Sequence, residues 1–346
     1  MPDASPSTHC TLDHGLQQTA RQRIARLVAD LTEGLVERDV PVRLGLLAAL
    51  AGEHILLVGP PGTAKSEIAS LRSFVDATFF ERLMTRFSVP EELFGPLSLQ
   101  GLERDEYTRL TEGYLPTASV AFLDEVFKAN SAILNSLLTI LNEREFDNGL
   151  ARVSVPLISM IGAANEIPTA PELLALYDRF LLRYQLDPVS KEGFEDLLRL
   201  PTNAPRPSVR EPLELEFIHQ IREHSRTIPV ASGVLQALVS LRAWLMDASF
   251  YVSDRRWLQI MRLMQVAAYT EGRSMVLWPD CWLVLHCVWS RPEQATIVQR
   301  WFDSRLIEIV RAEPARYDRL VGSLEAFVSD PNASKVQRHD RAGRPL

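Results

Sequence analysis

The chain has little cysteine. Three residues, Cys10, Cys281 and Cys287, are odd in number and form no CxxC pair. A disulfide framework is therefore not expected, and the cytoplasm is the natural compartment. No apolar run reaches transmembrane length. The opening MPDASPSTHCTLDHG lacks the basic start and apolar stretch of a secretory signal, and reads as a disordered leader. Positive charge is not in excess either: the net charge of −7 gives no general attraction to nucleic acid or acidic lipid. The seven histidines show no HExxH or other ligand spacing, so a zinc site is not expected.

What is present is a soluble composition, 46% hydrophobic and 23% charged, over a length that suits two domains. The residues 21–51 have helical periodicity with a break near Pro41. The apolar run at 55–58 ends in Gly-Pro-Pro-Gly, as a short buried strand entering a turn does. Residues 86–118, punctuated by glycine and proline, read as short pieces and loops. A second apolar strand at 119–123 ends at Asp124-Glu125, and a helix covers 131–142. REFDNGLARVSV predicts a hairpin turning at Asn148-Gly149. PLISMIGAAN is a further buried strand, followed by a helix over PELLALYDRFLLR and a strand-like YQL. The alternation predicts an α/β fold with a mostly parallel sheet. Four prolines in 201–212 mark a linker, and only helices are expected beyond it, at 213–226, 230–247, 254–270, 279–289 and 294–312.

The chemistry concentrates at strand ends. GPPGTAKS, residues 59–66, nearly fits a phosphate-binding loop: Gly59, Pro60, Pro61, Gly62, Thr63, Ala64, Lys65 and Ser66, with Ala64 where glycine is usual. Such a loop holds an anion with successive backbone N–H groups and a helix N-terminus. Lys65 would reach the β- and γ-phosphates of ATP, and Ser66 would bind Mg²⁺. Ala64 adds only a methyl group and removes no backbone donor, so the departure is not read as damage to the loop. An acid closing a buried parallel strand faces the ligand crevice. Asp124 would hold Mg²⁺ through water, and Glu125 would act as general base on the attacking water. Asn165, ending GAAN, would orient that water or touch the γ-phosphate.

Arg179 and Arg183, four apart, are expected to share a helix face, and one or both would enter a neighbouring subunit's site as an arginine finger. Arg255 and Arg256 fall in the first turn of a helix capped by Ser253, where cations oppose the helix dipole, so an anion is expected there. Cys281 and Cys287, in an apolar Trp-rich stretch, read as core residues.

In this order, GPPGTAKS, FLDE, NEREFDNG, GAANE, LYDRFLLR and YVSDRRW resemble an AAA+ ATPase of the MoxR class, over residues 21–300. LMTRFSVPEELFGPLSLQ, LTEGYLPTASVAFLDEVFKA and YVSDRRW resemble its RavA branch. The resemblance implies an AAA+ αβα nucleotide-binding core over 21–200 with a helix-2 insert in 86–118 and a hairpin before sensor 1 at 144–155. A helical lid would follow at 213–300, then a C-terminal segment and tail at 301–346, with the leader at 1–20. It implies that Lys65 and Ser66 are Walker A, Asp124 and Glu125 Walker B, Asn165 sensor 1 and Arg255 sensor 2, the last serving a neighbour's nucleotide. It further implies ATP/ADP and Mg²⁺ as cofactors, a hexameric homo-oligomer, a chaperone-like remodelling role on a protein client, and a partner carrying a von Willebrand factor A (VWA) domain. Proteins of the RavA branch continue into a helical region with an inserted β domain, so contacts made through that domain are not carried over. Two rivals stand beside this reading. The first is a nucleic-acid motor, which the net charge and the acidic hairpin tip disfavour. The second is a nucleotide-gated scaffold, which the intact set of catalytic residues disfavours.

Overall fold

The computed structural model describes residues 7–63, 65–68, 71, 73–201 and 209–312. Helix α1 spans Ser7–Thr32, so residues 7–20 of the expected leader are helical. The break in the next helical stretch lies before α2 (Asp39–Ala51), not at Pro41. Pro41 sits in the first turn of α2, where a backbone N–H would have no partner within the helix. The helix α2 ends at Gly52, whose φ of +79° suits a residue without Cβ and whose N–H returns to the carbonyls of Ala48 and Ala49.

The strands in chain order are β1 (Ile55–Val58), β2 (Phe79–Leu83), β3 (Val120–Asp124), β4 (Glu145–Asn148), β5 (Ala151–Ser154), β6 (Ser159–Ala164) and β7 (Leu182–Gln185). Five of them form one parallel sheet in the order β2-β3-β6-β1-β7. Every residue of β1 and β6 is buried, which explains their continuous apolar runs. Between the strands lie α3 (Lys65–Ile68), α4 (Pro90–Phe94), α5 (Leu99–Leu102), α6 (Ser131–Glu143) and α7 (Pro171–Tyr177), with α8 (Lys191–Arg199) after β7. Asn130 caps α6 by accepting from Ile133 N at 3.1 Å. On one side of the sheet, Phe80, Phe94, Ile133, Leu137, Phe146 and Phe180 form a continuous core.

The hairpin is present, but its turn is displaced by one residue. Asn148 pairs with Ala151, so the connecting residues are Gly149 and Leu150, and only Gly149 (φ +67°) has the left-handed backbone expected of the Asn-Gly pair. The Asn148 amide serves elsewhere. Its Oδ1 accepts from Arg109 N at 2.6 Å and its Nδ2 donates to Arg109 O at 3.1 Å, fastening the hairpin to the loop between α5 and β3.

The helices α9 (Leu215–Ser225), α10 (Ser232–Asp247), α11 (Asp254–Thr270) and α12 (Pro292–Ala312) follow the expected positions. The stretch expected as a helix at 279–289 is a 3-10 helix, Trp278–His286, entered through Pro279 with Asp280 accepting from Leu277 N at 2.8 Å. The chain divides into two compact units after Val288. The helices α9 to α11 belong to the unit that holds the sheet. Arg222 of α9 donates to Leu50 O at 2.9 Å and Ala49 O at 2.6 Å, adding a side-chain donor to carbonyls of the last turn of α2. Among the described residues no helix is long and apolar enough to cross a membrane. Most of the linker expected at 201–212, and the tail beyond 312, lie outside the described residues.

Candidate functional site

Parallel pairing of β3, β6 and β1 brings three carboxyl ends side by side, and each carries one of the expected polar groups. From β1, the backbone passes through Gly59 with Gly59 N donating to Ala164 O at 3.1 Å. A Cβ at Gly59 would lie 2.3 Å from Leu186 O, so no larger residue fits this exit without backbone movement. Gly62 has φ +81° and open space around it, so its freedom serves the turn. Thr63 closes the loop on itself, Oγ1 donating to Pro60 O at 2.9 Å. Ala64 and the side chain of Ser66 lie outside the described residues.

Lys65 opens α3 and is buried. Its Nζ donates to Gly59 O at 2.6 Å and to Asn165 Oδ1 at 2.5 Å, with Ala164 O at 3.4 Å. The Nδ2 of Asn165 in turn donates to Glu125 Oε1. Burial lowers the lysine pKa, while Asp124 and Glu125 act in the opposite direction. Glu125 itself has a left-handed backbone, φ +52°, which turns the chain sharply as β3 ends. Its N–H donates to Asp124 Oδ1 at 2.9 Å, and its other oxygen lies 3.6 Å from Lys128 Nζ. The structure thus brings Gly59, Lys65, Asp124, Glu125 and Asn165 into one site. A half-buried carboxylate beside the phosphate loop is oxygen-donor chemistry of the kind Mg²⁺ takes.

The expected arginines lie in a different place, and not as a pair. Helix α7 stops at Tyr177 and β7 starts at Leu182, so Arg179 and Arg183 do not share a helix face. The intervening Phe180 and Leu181 are buried apolar residues that lead into the strand. Arg183 is on β7, 3% exposed, 3.7 Å from Asp178 and with its guanidinium 4.1 Å from the Tyr177 ring centre. Burial brings its pKa down to about 10. Arg179 instead lines a cavity of about 280 Å³ together with Arg144, Arg255 and Arg262. Its Nε is buried without a hydrogen-bond partner, and burial together with the charges of Arg255 and Arg256 lowers its pKa. Glu53 and Asp178 are the acidic residues on the cavity wall. No phosphate-loop residue, nor Glu125 or Asn165, lines it.

The helix α11 separates its two neighbouring arginines. Arg255 and Arg262 are exposed and line the cavity, with the half-buried Gln259 between them. Arg256 is 5% exposed and serves the fold: it donates to Leu181 O, Phe180 O and Cys287 O at 3.0–3.4 Å and to Asp178 Oδ1 at 3.2 Å. Arg256 also lines the cavity, but its donors are taken up by the fold, so of the two it is Arg255 that is left exposed toward an anion. Sequence reading missed Arg38, Arg144 and Arg262. The spacing 255, 259, 262 was a legible signal for the last. Arg144 gave none, because its role depends on the left-handed end of α6, where Nη2 reaches Gly52 O at 3.0 Å.

A parallel sheet of this order, a phosphate loop at β1, acids at β3 and an asparagine at β6 define a P-loop ATPase of the AAA+ kind. Residues 22–222 match the family described as the MoxR domain in the MoxR-vWA-beta-propeller ternary systems, and residues 233–302 match an AAA lid domain. Two proteins of Methanocaldococcus jannaschii, MJ0079 and MJ0812, are each 37% identical to this chain, over 80% and 78% of its length and 73% and 72% of theirs. The chaperone MoxR1 of Mycobacterium tuberculosis is 24% identical over 74% of this chain and 72% of its own. A crystal structure of a Cytophaga hutchinsonii protein described as a candidate ATPase shares the fold, with TM-score 0.70 at 18% identity over 87% of this chain and 98% of that one. The chain belongs to the MoxR class of AAA+ ATPases.

Proposed function

We propose that this protein hydrolyses ATP at a site completed by a second copy of itself, in a ring, and uses the cycle to remodel a protein client. One observation carries the reading: the phosphate-loop cluster and the arginine cavity are separate, with no lining residue in common. A head-to-tail contact between copies joins two such unlike surfaces and closes into a ring. Resemblance to the family supports six copies. Arg179 is the finger, because Arg183 is held in the sheet edge, and Arg255 joins it on the neighbour's γ-phosphate.

Within one subunit, the phosphate-loop N–H groups and Lys65 would bind the β- and γ-phosphates. Lys65 would exchange Gly59 O and Asn165 Oδ1 for phosphate oxygens. Asn165, released from Lys65, would hold the attacking water with Glu125, and Glu125 would accept its proton. Ser66 and Asp124 would hold Mg²⁺, which neutralises charge on the phosphates when bound.

A protein client is favoured over nucleic acid by the hairpin. Arg152, its one basic residue in β4 and β5, is engaged by Glu143, Glu145 and Asp147 at 2.8–3.3 Å. Its tip presents Leu150, fully exposed, next to the exposed Tyr107. The matching family's description, and the likeness of 83–100 and 110–129 to the RavA branch, support a VWA-domain partner. The experiment is Glu125→Gln. It should bind ATP normally and lose about 10²-fold or more in turnover. Near-normal turnover would remove Glu125 from the mechanism.

A further inference from the structure

Two neighbouring residues ahead of α2 fasten two different parts of the molecule. Arg38 is 5% exposed and, among the described residues, its Nε, Nη1 and Nη2 each donate to a carbonyl oxygen rather than a carboxylate. Nε donates to Thr63 O in the phosphate loop at 3.2 Å, Nη2 to Asp187 O beyond β7 at 3.0 Å, and Nη1 to Glu37 O at 2.8 Å. Glu37 has a left-handed backbone, φ +56°. That carboxylate accepts from Ser190 N at 2.8 Å and from the Ser190 hydroxyl, at the N-cap of α8. Gly193, in the first turn of α8, is packed so closely that a Cβ there would lie 2.5 Å from Glu37 Oε1.

The geometry points to Glu37 and Arg38 as positioning residues that link the phosphate loop to α8. Arg38 fixes the carbonyl of Thr63, so that loop N–H groups are presented to phosphate. A planar guanidinium is required, since it spans two carbonyls on separate segments at once. Glu37, one residue earlier on the same backbone, carries any displacement of that anchor to the start of α8. The helix is amphipathic and yet almost wholly exposed, with Phe194 51% and Leu198 69% exposed. Nucleotide in the loop therefore sets the pose of an apolar face.

The inference rests on the nucleotide reading above, and hydrogen–deuterium exchange on the full chain separates the two. With ATPγS and Mg²⁺, wild-type protein should gain protection in 59–68 and change exchange in 191–199. Glu37→Ala should keep the first response and lose the second; Ser190→Ala, which removes one of the two hydrogen bonds to Glu37 together with the cap on Gly193 N, should weaken it. Arg38→Lys should weaken nucleotide affinity by about tenfold through the loop, with the α8 response lost at saturating nucleotide. Thermal midpoints of the apo variants identify any that do not fold. A response of 191–199 that persists in Glu37→Ala, or that is missing from wild type while the loop responds, overturns the coupling. Absence of any loop response in wild type overturns the nucleotide reading itself, and the coupling with it.

Discussion

At Gly59 a single methyl group decides whether the phosphate loop can leave β1. The Leu186 carbonyl occupies the space a Cβ would need, at 2.3 Å. Gly59→Ala should lower stability by about 1–3 kcal/mol and weaken ATP binding, read by thermal unfolding and by titration with a fluorescent nucleotide. That glycine was legible as part of a motif, but not for this reason, because the obstructing carbonyl belongs to the residue that follows β7, more than a hundred residues later. Asp124, Glu125 and Asn165 were legible because each closes an apolar strand that the sequence displays openly, and Lys65 because the glycine loop that carries it follows another such strand. The choice between Arg179 and Arg183 was not. Four-residue spacing suggested one helix face, and only the burial of Phe180, Leu181 and Leu182 shows that the chain has become a strand by Arg183.

Among the elements, α11 best separates an exposed arginine, proposed to be functional, from a buried structural one. Arg255 and Arg256 are adjacent, both in the first turn, and indistinguishable by position relative to the helix dipole. Their difference is the face on which each lies, 100° apart around the axis. Arg256→Ala would strip donors from the carbonyls of Phe180, Leu181 and Cys287, and should cost on the order of 3 kcal/mol in chemical denaturation. Arg255→Ala should leave the denaturation midpoint near wild type and lower ATP turnover. The hairpin makes a related point about legibility. Its existence followed from Asn-Gly between apolar alternations, but the turn moved one residue on, because the Asn148 amide is recruited by the Arg109 backbone. A partner so distant in sequence leaves no local trace.

For the molecule as a whole, buried histidines set an acid limit. His54 lies beneath the arginine cavity, with Nδ1 accepting from Met160 N at 2.9 Å, and burial and the charge of Arg144 hold its pKa well below the usual histidine range. Burial lowers that of His286 to about 4. Both stay neutral in the folded state while the unfolded chain takes up protons below about pH 6.5. Stability is therefore fully present above that pH and declines as pH falls toward 4, by up to roughly 3 kcal/mol for His286 alone. Denaturation midpoints measured from pH 7.5 to 4.5 should fall steadily; a flat profile would show that the histidines are not buried as neutral groups.

The whole-molecule claim is that one subunit supplies the phosphate loop and the next supplies Arg179. It is tested most directly by mixing two variants, Lys65→Ala and Arg179→Ala, and measuring ATP hydrolysis. Each alone should be nearly inactive, since a finger contributes about 10³-fold or more to the rate. Mixed and allowed to assemble, they should recover activity, because about a quarter of the head-to-tail contacts would pair an intact phosphate loop with an intact Arg179. A mixture no more active than its two components would contradict a site shared between copies.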